Sequence, residues 1–256
     1  MRISKIVTHS GTFHADELSA IALLQILFGP KIPVERTFTP TNEDFNDPTV
    51  FVLDIGRRYE PELNNFDHHQ DASLPATNML ILAHFLVPNH LKLANLLSKY
   101  MFQYVSDVDT GKVVEDANSI PLTISGIIRG LNNLPIMPEL QFRAALEIMT
   151  TIVSAQIETA NKQIQSEEIW ATQVVKDGKV AIHNSTEFLV GWRELAEPTE
   201  IRYLVTPNLR AGFQITSWDS NQFPIPVDTR QTFRHNSGFL AAYATLEDAV
   251  DHGKSL

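Results

Sequence analysis

The chain holds nine histidines and no cysteine. Thiol nucleophiles, disulfides, thiolate zinc sites and iron–sulfur clusters are therefore excluded, and any metal must rest on imidazole and carboxylate groups. Four of the histidines fall in two short motifs. The string HSGTFHADE (9–17) brings His9, His14 and Asp16 together, and FDHHQ (66–70) sets Asp67, His68 and His69 in succession. VLDIG (52–56) supplies Asp54 shortly before the second motif, and SDVDTG (106–111) offers Asp107 and Asp109. Each string has an ordinary structural explanation: Asp16 as a helix N-cap beside two loop histidines, an exposed histidine pair, an Asx-turn closed by glycine. Taken together, His9, His14, Asp16, Asp54, His68 and one of Asp107 or Asp109 are too many for one tetrahedral ion. They suit two ions sharing a carboxylate. Nitrogen and oxygen donors without sulfur favour Mn²⁺ or Mg²⁺ and also accept Fe²⁺, Co²⁺ or Zn²⁺. Two such ions ~3.5–4 Å apart activate a water and neutralise phosphoryl charge, which is the chemistry of phosphoester hydrolysis.

These residues need a scaffold that makes them converge. Residues 2–8 read as a short buried strand, and 15–29 as a helix with Leu18, Ile21, Leu24 and Phe28 on its apolar positions, stopped at Gly29-Pro30. Strands are expected at 32–38 and 50–55, the second an apolar run that delivers Asp54 at its C-terminal end. Strand, helix, strand, strand predicts a parallel α/β sheet, whose ligand sites lie beyond the C-terminal strand ends. His9 and Asp54 both fall there. From about 77 to 170 the pattern is helical, with segments at 80–82, 91–102 (the run ending near Tyr104), 122–131 and 139–170. After Trp170 strand-like segments at 173–175, 180–183, 201–205 and 212–218 alternate with turn signals, and Thr245 caps a last helix. The expected organisation is an α/β metal-binding catalytic domain over 1–160, the end of a linking helix at 161–170, and a smaller α+β substrate-binding domain over 171–256.

Composition narrows the partners. Apolar residues make up 43% and charged residues 20%, enough for a buried core. Twenty Lys and Arg stand against thirty Asp and Glu, a formal charge of −10 that argues against nucleic-acid binding by bulk charge. No run approaches the ~20 apolar residues of a membrane span. The first residues lack the apolar segment of a signal peptide, so a cytoplasmic protein is the expectation.

In order, THSGTFHADE, VLDIGRRYEPELNNFDHHQ, SDVDTG and FRHNSGF resemble the Myg-type (melanocyte-proliferating-gene-one) family of the DHH phosphoesterase superfamily, which also holds RecJ nucleases and family II pyrophosphatases. The resemblance runs over nearly the whole chain. It implies a DHH-type N-terminal domain with a dinuclear Mn²⁺ site, Mg²⁺ or another divalent ion being an alternative, and a C-terminal domain that closes over the substrate. Eukaryotic members are described as 3′→5′ RNA exonucleases, and many bacterial ones only as metal-dependent hydrolases. Carried over, His9, His14 and Asp16 fill the first motif, where the superfamily more often has Asp in place of His14. Asp54 matches the bridging carboxylate, and His68 the usual ligand. His69 faces the substrate phosphate, with Asp67 orienting the pair. Asp107 is the preferred last ligand, with Asp109 second. Arg234, His235 and Gly238 resemble the terminal His-Gly motif and would contact phosphate.

The resemblance thus assigns Asp54, His68 and His69 to catalysis. It places His9 and His14 on one ion, with Asp16, His68 and Asp107 on the other. One departure stands out: the Trp-Gly-Leu-rich segment that precedes the terminal motif in the family is missing, since Arg230 runs almost directly into Phe233. The region from 172 onward holds 8 Lys and Arg against 10 Asp and Glu, so no basic groove is expected. The expected partners are a short nucleic acid or a small phosphodiester, no membrane, and in assembly terms a homo-oligomer as an allowed state. The rival expectations are a hydrolase of a cyclic dinucleotide or pyrophosphate, and a non-catalytic protein stabilised by metal.

Overall fold

The computed structural model describes residues 3–116 and 122–256. The chain divides into two compact units, Met1–Ala160 and Asn161–Leu256.

The first unit is built on a five-stranded sheet of β1 (Lys5–His9), β2 (Val34–Thr37), β3 (Val50–Leu53), β4 (Tyr59–Glu60) and β5 (Asn65–Phe66), in the order β2-β1-β3-β5-β4. Only β4 runs antiparallel to its neighbour. The strand expected from residue 2 begins at Lys5, and Arg2 lies outside the described residues. The 32–38 and 50–55 strands are each trimmed at the ends, and β4 and β5 are too short to carry a periodic signal. Register decides the site. Thr8 pairs with Leu53 and Leu53 with Phe66, so His9, Asp54 and Asp67 follow one residue past three aligned partners. They emerge side by side at the C-terminal edge, where parallel sheets place ligands.

Helix α1 (Ala15–Phe28) is apolar on most of its surface, buried from Ala15 to Leu24, and packs against α3 (Thr77–Phe85), α5 (Gln103–Asp109) and α6 (Ile124–Leu131). A helix without a polar face has to be covered on all sides. Its N-cap is His14, not Asp16: His14 has extended backbone, and its N–H donates to both Glu17 carboxylate oxygens at 2.7 and 2.9 Å. A glutamate at the third helical position reaching back to the cap is half of a capping box. That leaves Asp16 free of capping. The short α2 (Asn42–Asn46) went unread in the sequence, and α4 (Leu91–Leu97) runs through a π turn at Ser98–Phe102 into α5. Ser106 to Asp109, expected after the helix end, are helical. The long α7 (Pro138–Thr172) contributes residues to both units.

The second unit holds a six-stranded sheet of β6 (Val175–Asp177), β7 (Val180–Ile182), β8 (Tyr203–Pro207), β9 (Phe213–Ser217), β10 (Gln231–Arg234) and β11 (Leu240–Tyr243), in the order β10-β11-β9-β8-β7-β6. Its pairs are antiparallel except β7 with β8. α8 (Trp192–Ala196) packs its buried Trp192 with Leu189 and Leu204, and α9 (Leu246–Ser255), capped by Thr245 as expected, covers β7, β8, β9 and β11. Strands β10 and β11 escaped the sequence reading because 231–234 is polar and 240–243 is a short run without alternation. Among the described residues no helix is long and apolar enough to cross a membrane.

Candidate metal centre

Asp54 sits at the end of β3 with φ +58°, a left-handed conformation uncommon for a non-glycine residue and found where surrounding structure enforces it. Its N–H donates to Phe66 O at 3.0 Å, and Thr77 Oγ1 donates to its Oδ1 at 3.0 Å. Thr77, the first residue of α3, was not singled out in the sequence. Its hydroxyl aims the buried carboxylate so that both oxygens face imidazoles. His9 Nε2 lies 3.4 Å from Oδ2, and His68 Nε2 lies 3.3 Å from Oδ1. His9 Nε2 is also 3.3 Å from Glu17 Oε1, and His68 Nε2 is 3.1 Å from Asp109 Oδ2.

Among the described residues the donors form three overlapping groups: His9, His14, Glu17 and Asp54; Asp54, His68 and His69; and His14, Asp16 and Asp109. Asp54 belongs to two of them, His14 likewise. Glu17 is a member that sequence reasoning missed, because the cap was expected at Asp16 and nothing in the string marked Glu17 as either the capping glutamate of His14 or a neighbour of His9. The expected division set Asp16 beside His68; in the structure Asp16 groups with His14 and Asp109.

Asp107, the preferred last ligand, joins none of the groups. Its carboxylate accepts from Gln103 Nε2 at 2.9 Å instead. Helical phase is the reason. Val105 and Ser106 form the buried face of α5, with Ser106 Oγ accepting from Ala76 N at 3.0 Å, and Asp109 follows them by four and three residues on that face. Asp107 points away.

The residues fit divalent cations. His9 Nε2, His68 Nε2 and both oxygens of Asp16 are buried without a hydrogen-bond partner, a costly arrangement unless something else satisfies them. Two ligands at right angles, each about 2.1 Å from a shared cation, stand about 3 Å apart. The nitrogen-to-oxygen separations of 3.1 to 3.4 Å match that spacing. Electrostatics agree. Burial and then the charges of Asp54, Glu17 and Asp109 drive the Asp16 carboxyl well above its ordinary range. Burial disfavours the charged form of His9, yet Asp54 and Glu17 outweigh it and push the imidazole up to about 10. Asp109 and Asp54 do the same against burial for His68, also to about 10. Asp54, despite its burial, is held low by His68 and His9. Such a cluster of carboxylates demands positive charge.

Asp67 is buried and serves as an organiser. It accepts from Arg57 N at 2.6 Å and from both the backbone N–H (3.0 Å) and Nδ1–H (2.7 Å) of His69. Asp67 therefore orients His69 alone, where an effect on both histidines was expected. His69 keeps a side chain 55% exposed, and Asp67 raises its pKa.

Arg234, His235 and Gly238 lie in the second unit. Arg234 Nε donates to Ile225 O at 2.6 Å, His235 Nδ1 contacts Ser237 Oγ at 2.9 Å, and Gly238, at φ +70°, closes the turn with its N–H on His235 O at 2.8 Å. The turn is thus ordered by its own contacts.

Residues 5–79 match the model of the MYG1 exonuclease family, described as Uncharacterised protein family (UPF0160). Over 69 residues the chain is 41% identical to MYG1 exonuclease of Bos taurus and of Homo sapiens, a stretch covering 26% of this chain and 17% of either relative. Over 73 residues it is 42% identical to the MYG1 protein of Chlamydia trachomatis, covering 27% of this chain and 24% of that one. Among solved structures, the pGpG-specific phosphodiesterase PggH from Vibrio cholerae aligns over 98% of this chain and 96% of its own at 13% identity and a TM-score of 0.36. RecJ of Thermus thermophilus with Mn²⁺ aligns over 98% and 51% at 14% identity and a TM-score of 0.30. At such scores these two likenesses bear on neither fold nor chemistry. Asp107, Asp109 and the 234–238 turn lie outside the matched stretch, whereas residues 5–79, which carry His9, His14, Asp16, Glu17, Asp54, His68 and His69, are the part of the chain that matches the family model.

Proposed function

We propose that this chain is a metal-dependent phosphoesterase that removes nucleotides 3′→5′ from short single-stranded RNA or related oligonucleotides. The observation that carries the reading is Asp54, whose two oxygens face imidazoles of two different donor groups, as a carboxylate shared by two cations would. Mn²⁺ is the favoured ion, two per chain, held by His9, His14, Glu17, Asp16, Asp54, His68 and Asp109. When bound, the ions would supply a water of lowered pKa and neutralise phosphoryl charge. The chain's own contribution is positional. Thr77 and Phe66 fix the Asp54 carboxylate, Glu17 fixes the His14 backbone, and Asp67 turns His69 outward to meet a phosphoryl oxygen. The exonuclease name carried by the mammalian relatives of residues 5–79 supports nucleic acid as the substrate.

In this reading 1–160 is the catalytic domain, 161–170 the end of the linking helix, and 171–256 the substrate-binding domain, with Arg234, His235 and Gly238 as phosphate contacts. A cavity of about 520 Å³ within the second unit, lined by Trp192, Thr206, Gln214 and Phe239 among others, supports a binding role. Short substrates suit the absence of excess basic charge after residue 172. The test is a 5′-labelled single-stranded RNA incubated with metal-stripped protein, with and without Mn²⁺. Stepwise shortening only with Mn²⁺ is expected. No cleavage by protein that demonstrably binds two Mn²⁺ would refute it and favour a small phosphodiester or a non-catalytic role. A chain-length series separates an exonuclease from a small-phosphodiester enzyme, because the exonuclease tolerates long 5′ extensions.

A further inference from the structure

Beside the donor cluster opens a cavity of about 240 Å³ whose lining joins two kinds of wall. One wall is His14, Asp16 and Asp109, the third donor group. The other is α6, through Ser125 and Arg129. Spaced by four residues, these two lie one turn apart on one helix face. Neither belongs to a recognised motif of the chain, and both lie outside the stretch matched to the family.

Their state is unusual for structural residues. Ser125 Oγ is buried without a hydrogen-bond partner. Arg129 is half-exposed and anchored from behind: its Nη2 donates to Glu115 Oε2 at 3.2 Å. Glu115 is itself buried and accepts from Tyr104 Oη at 3.1 Å and from Thr123 Oγ1. A guanidinium has five N–H donors in a planar fork, so one contact to Glu115 fixes its position and leaves donors for a ligand. The cavity is smaller than the ~300–1,000 Å³ of sites that engulf a whole small molecule. It suits one compact charged group of a larger substrate.

Resting on the phosphoesterase reading, we propose that Ser125 and Arg129 bind the phosphoryl oxygens of the substrate, making Arg129 a specificity-determining residue for the phosphate that faces the cluster. Arginine forks match phosphate bidentately, and the serine hydroxyl adds a donor one turn away. Because the opposite wall is acidic, the anion enters only when cations neutralise Asp16 and Asp109. The competing role for Arg129 is to hold Glu115 alone.

The test measures binding of inorganic phosphate to the full-length Mn²⁺-loaded protein by calorimetry, with Mn²⁺ binding followed separately by electron paramagnetic resonance. Arg129→Gln should weaken phosphate at least tenfold with Mn²⁺ binding unchanged. Arg129→Lys, which keeps the ion pair to Glu115 but loses the fork, should weaken it several-fold, as should Ser125→Ala. Unaltered phosphate affinity in Arg129→Lys and Ser125→Ala, with Mn²⁺ retained, would overturn the proposal even if Arg129→Gln proved unable to fold. Wild-type protein that binds Mn²⁺ but no phosphate would also overturn it while leaving the metal site standing, and failure to bind Mn²⁺ at all would remove both.

Discussion

Asp67 holds His69 by two hydrogen bonds, one from the backbone N–H at 3.0 Å and one from Nδ1–H at 2.7 Å, and makes none to the neighbouring His68. The two adjacent histidines thereby sit in different settings. His68 Nε2 lies 3.3 Å from Asp54 and 3.1 Å from Asp109, whereas the His69 side chain stays 55% exposed.

Asp67→Asn tests that division. Asparagine offers one oxygen where Asp67 uses both, so either the Arg57 N–H or the His69 contacts face an N–H₂ group. Loss of such an outer contact costs 10–100-fold in activity as a rule of thumb, and about that fall in kcat is expected. Mn²⁺ titration should return near-wild-type stoichiometry. An equal fall in Mn²⁺ affinity would show that Asp67 supports the ligands rather than His69.

Asp54→Asn should leave the fold nearly intact, since asparagine tolerates the left-handed backbone at φ +58° about as well as aspartate. In the phosphoesterase reading activity should drop by roughly a hundredfold or more, because the negative charge that two cations would share is gone. Circular dichroism and the thermal midpoint report the fold, and Mn²⁺ binding reports the site. Wild-type activity in this variant would sink the bridging role.

Gly56 has φ +97°, and a Cβ there would stand 2.4 Å from the Phe45 ring. Gly56→Ala therefore forces both backbone strain and overpacking at the turn that carries Arg57 to Asp67. A loss of about 1–3 kcal/mol is expected from the overpacking alone, read from urea denaturation midpoints. A midpoint shift near zero would show that Phe45 swings aside freely.

Acid should weaken the second unit. His252 is buried with its Nδ1 on Tyr243 Oη, and burial lowers its pKa from the usual 6.5 against an opposing pull from Asp228, with Arg230 reinforcing the decrease. Burial, against the charge of Glu187, also lowers the pKa of His183. Each is lower folded than unfolded, so the unfolded chain binds more protons as pH falls below about 6.5. The stabilisation is complete above that value and is lost as pH falls through the folded pKa. The raised pKa values of His9 and His68 add stability over the same range, so the comparison is between variants: the change in denaturation midpoint from pH 7.5 to 5.5 should shift toward greater acid stability in His252→Gln. A pH dependence identical in His252→Gln and the wild type would contradict the neutral burial of His252.

What the sequence determined by itself was chemical type and local order. Without cysteine the site had to be imidazole and carboxylate, and the strings around His9 and Asp54 placed those groups at strand ends because an apolar run stops there. Helix starts and stops such as Gly29 and Thr245 were equally legible, being set by residues within a turn of the boundary. Tertiary structure decided which groups meet. Glu17 carries no sign of a metal role until His9 is brought within 3.3 Å of it across the fold. Asp109, and not Asp107, joins the donor groups because packing of Val105 and Ser106 set the phase of α5, and a turn has no phase to read. Thr77, Ser125 and Arg129 bear no motif: α3 packed on β5 brings Thr77 to Asp54, and α6 packed on α1 and α5 brings Ser125 and Arg129 to the cavity lined by Asp16 and Asp109. Those packings depend on contacts between residues tens of positions apart, and local propensity carries no record of them.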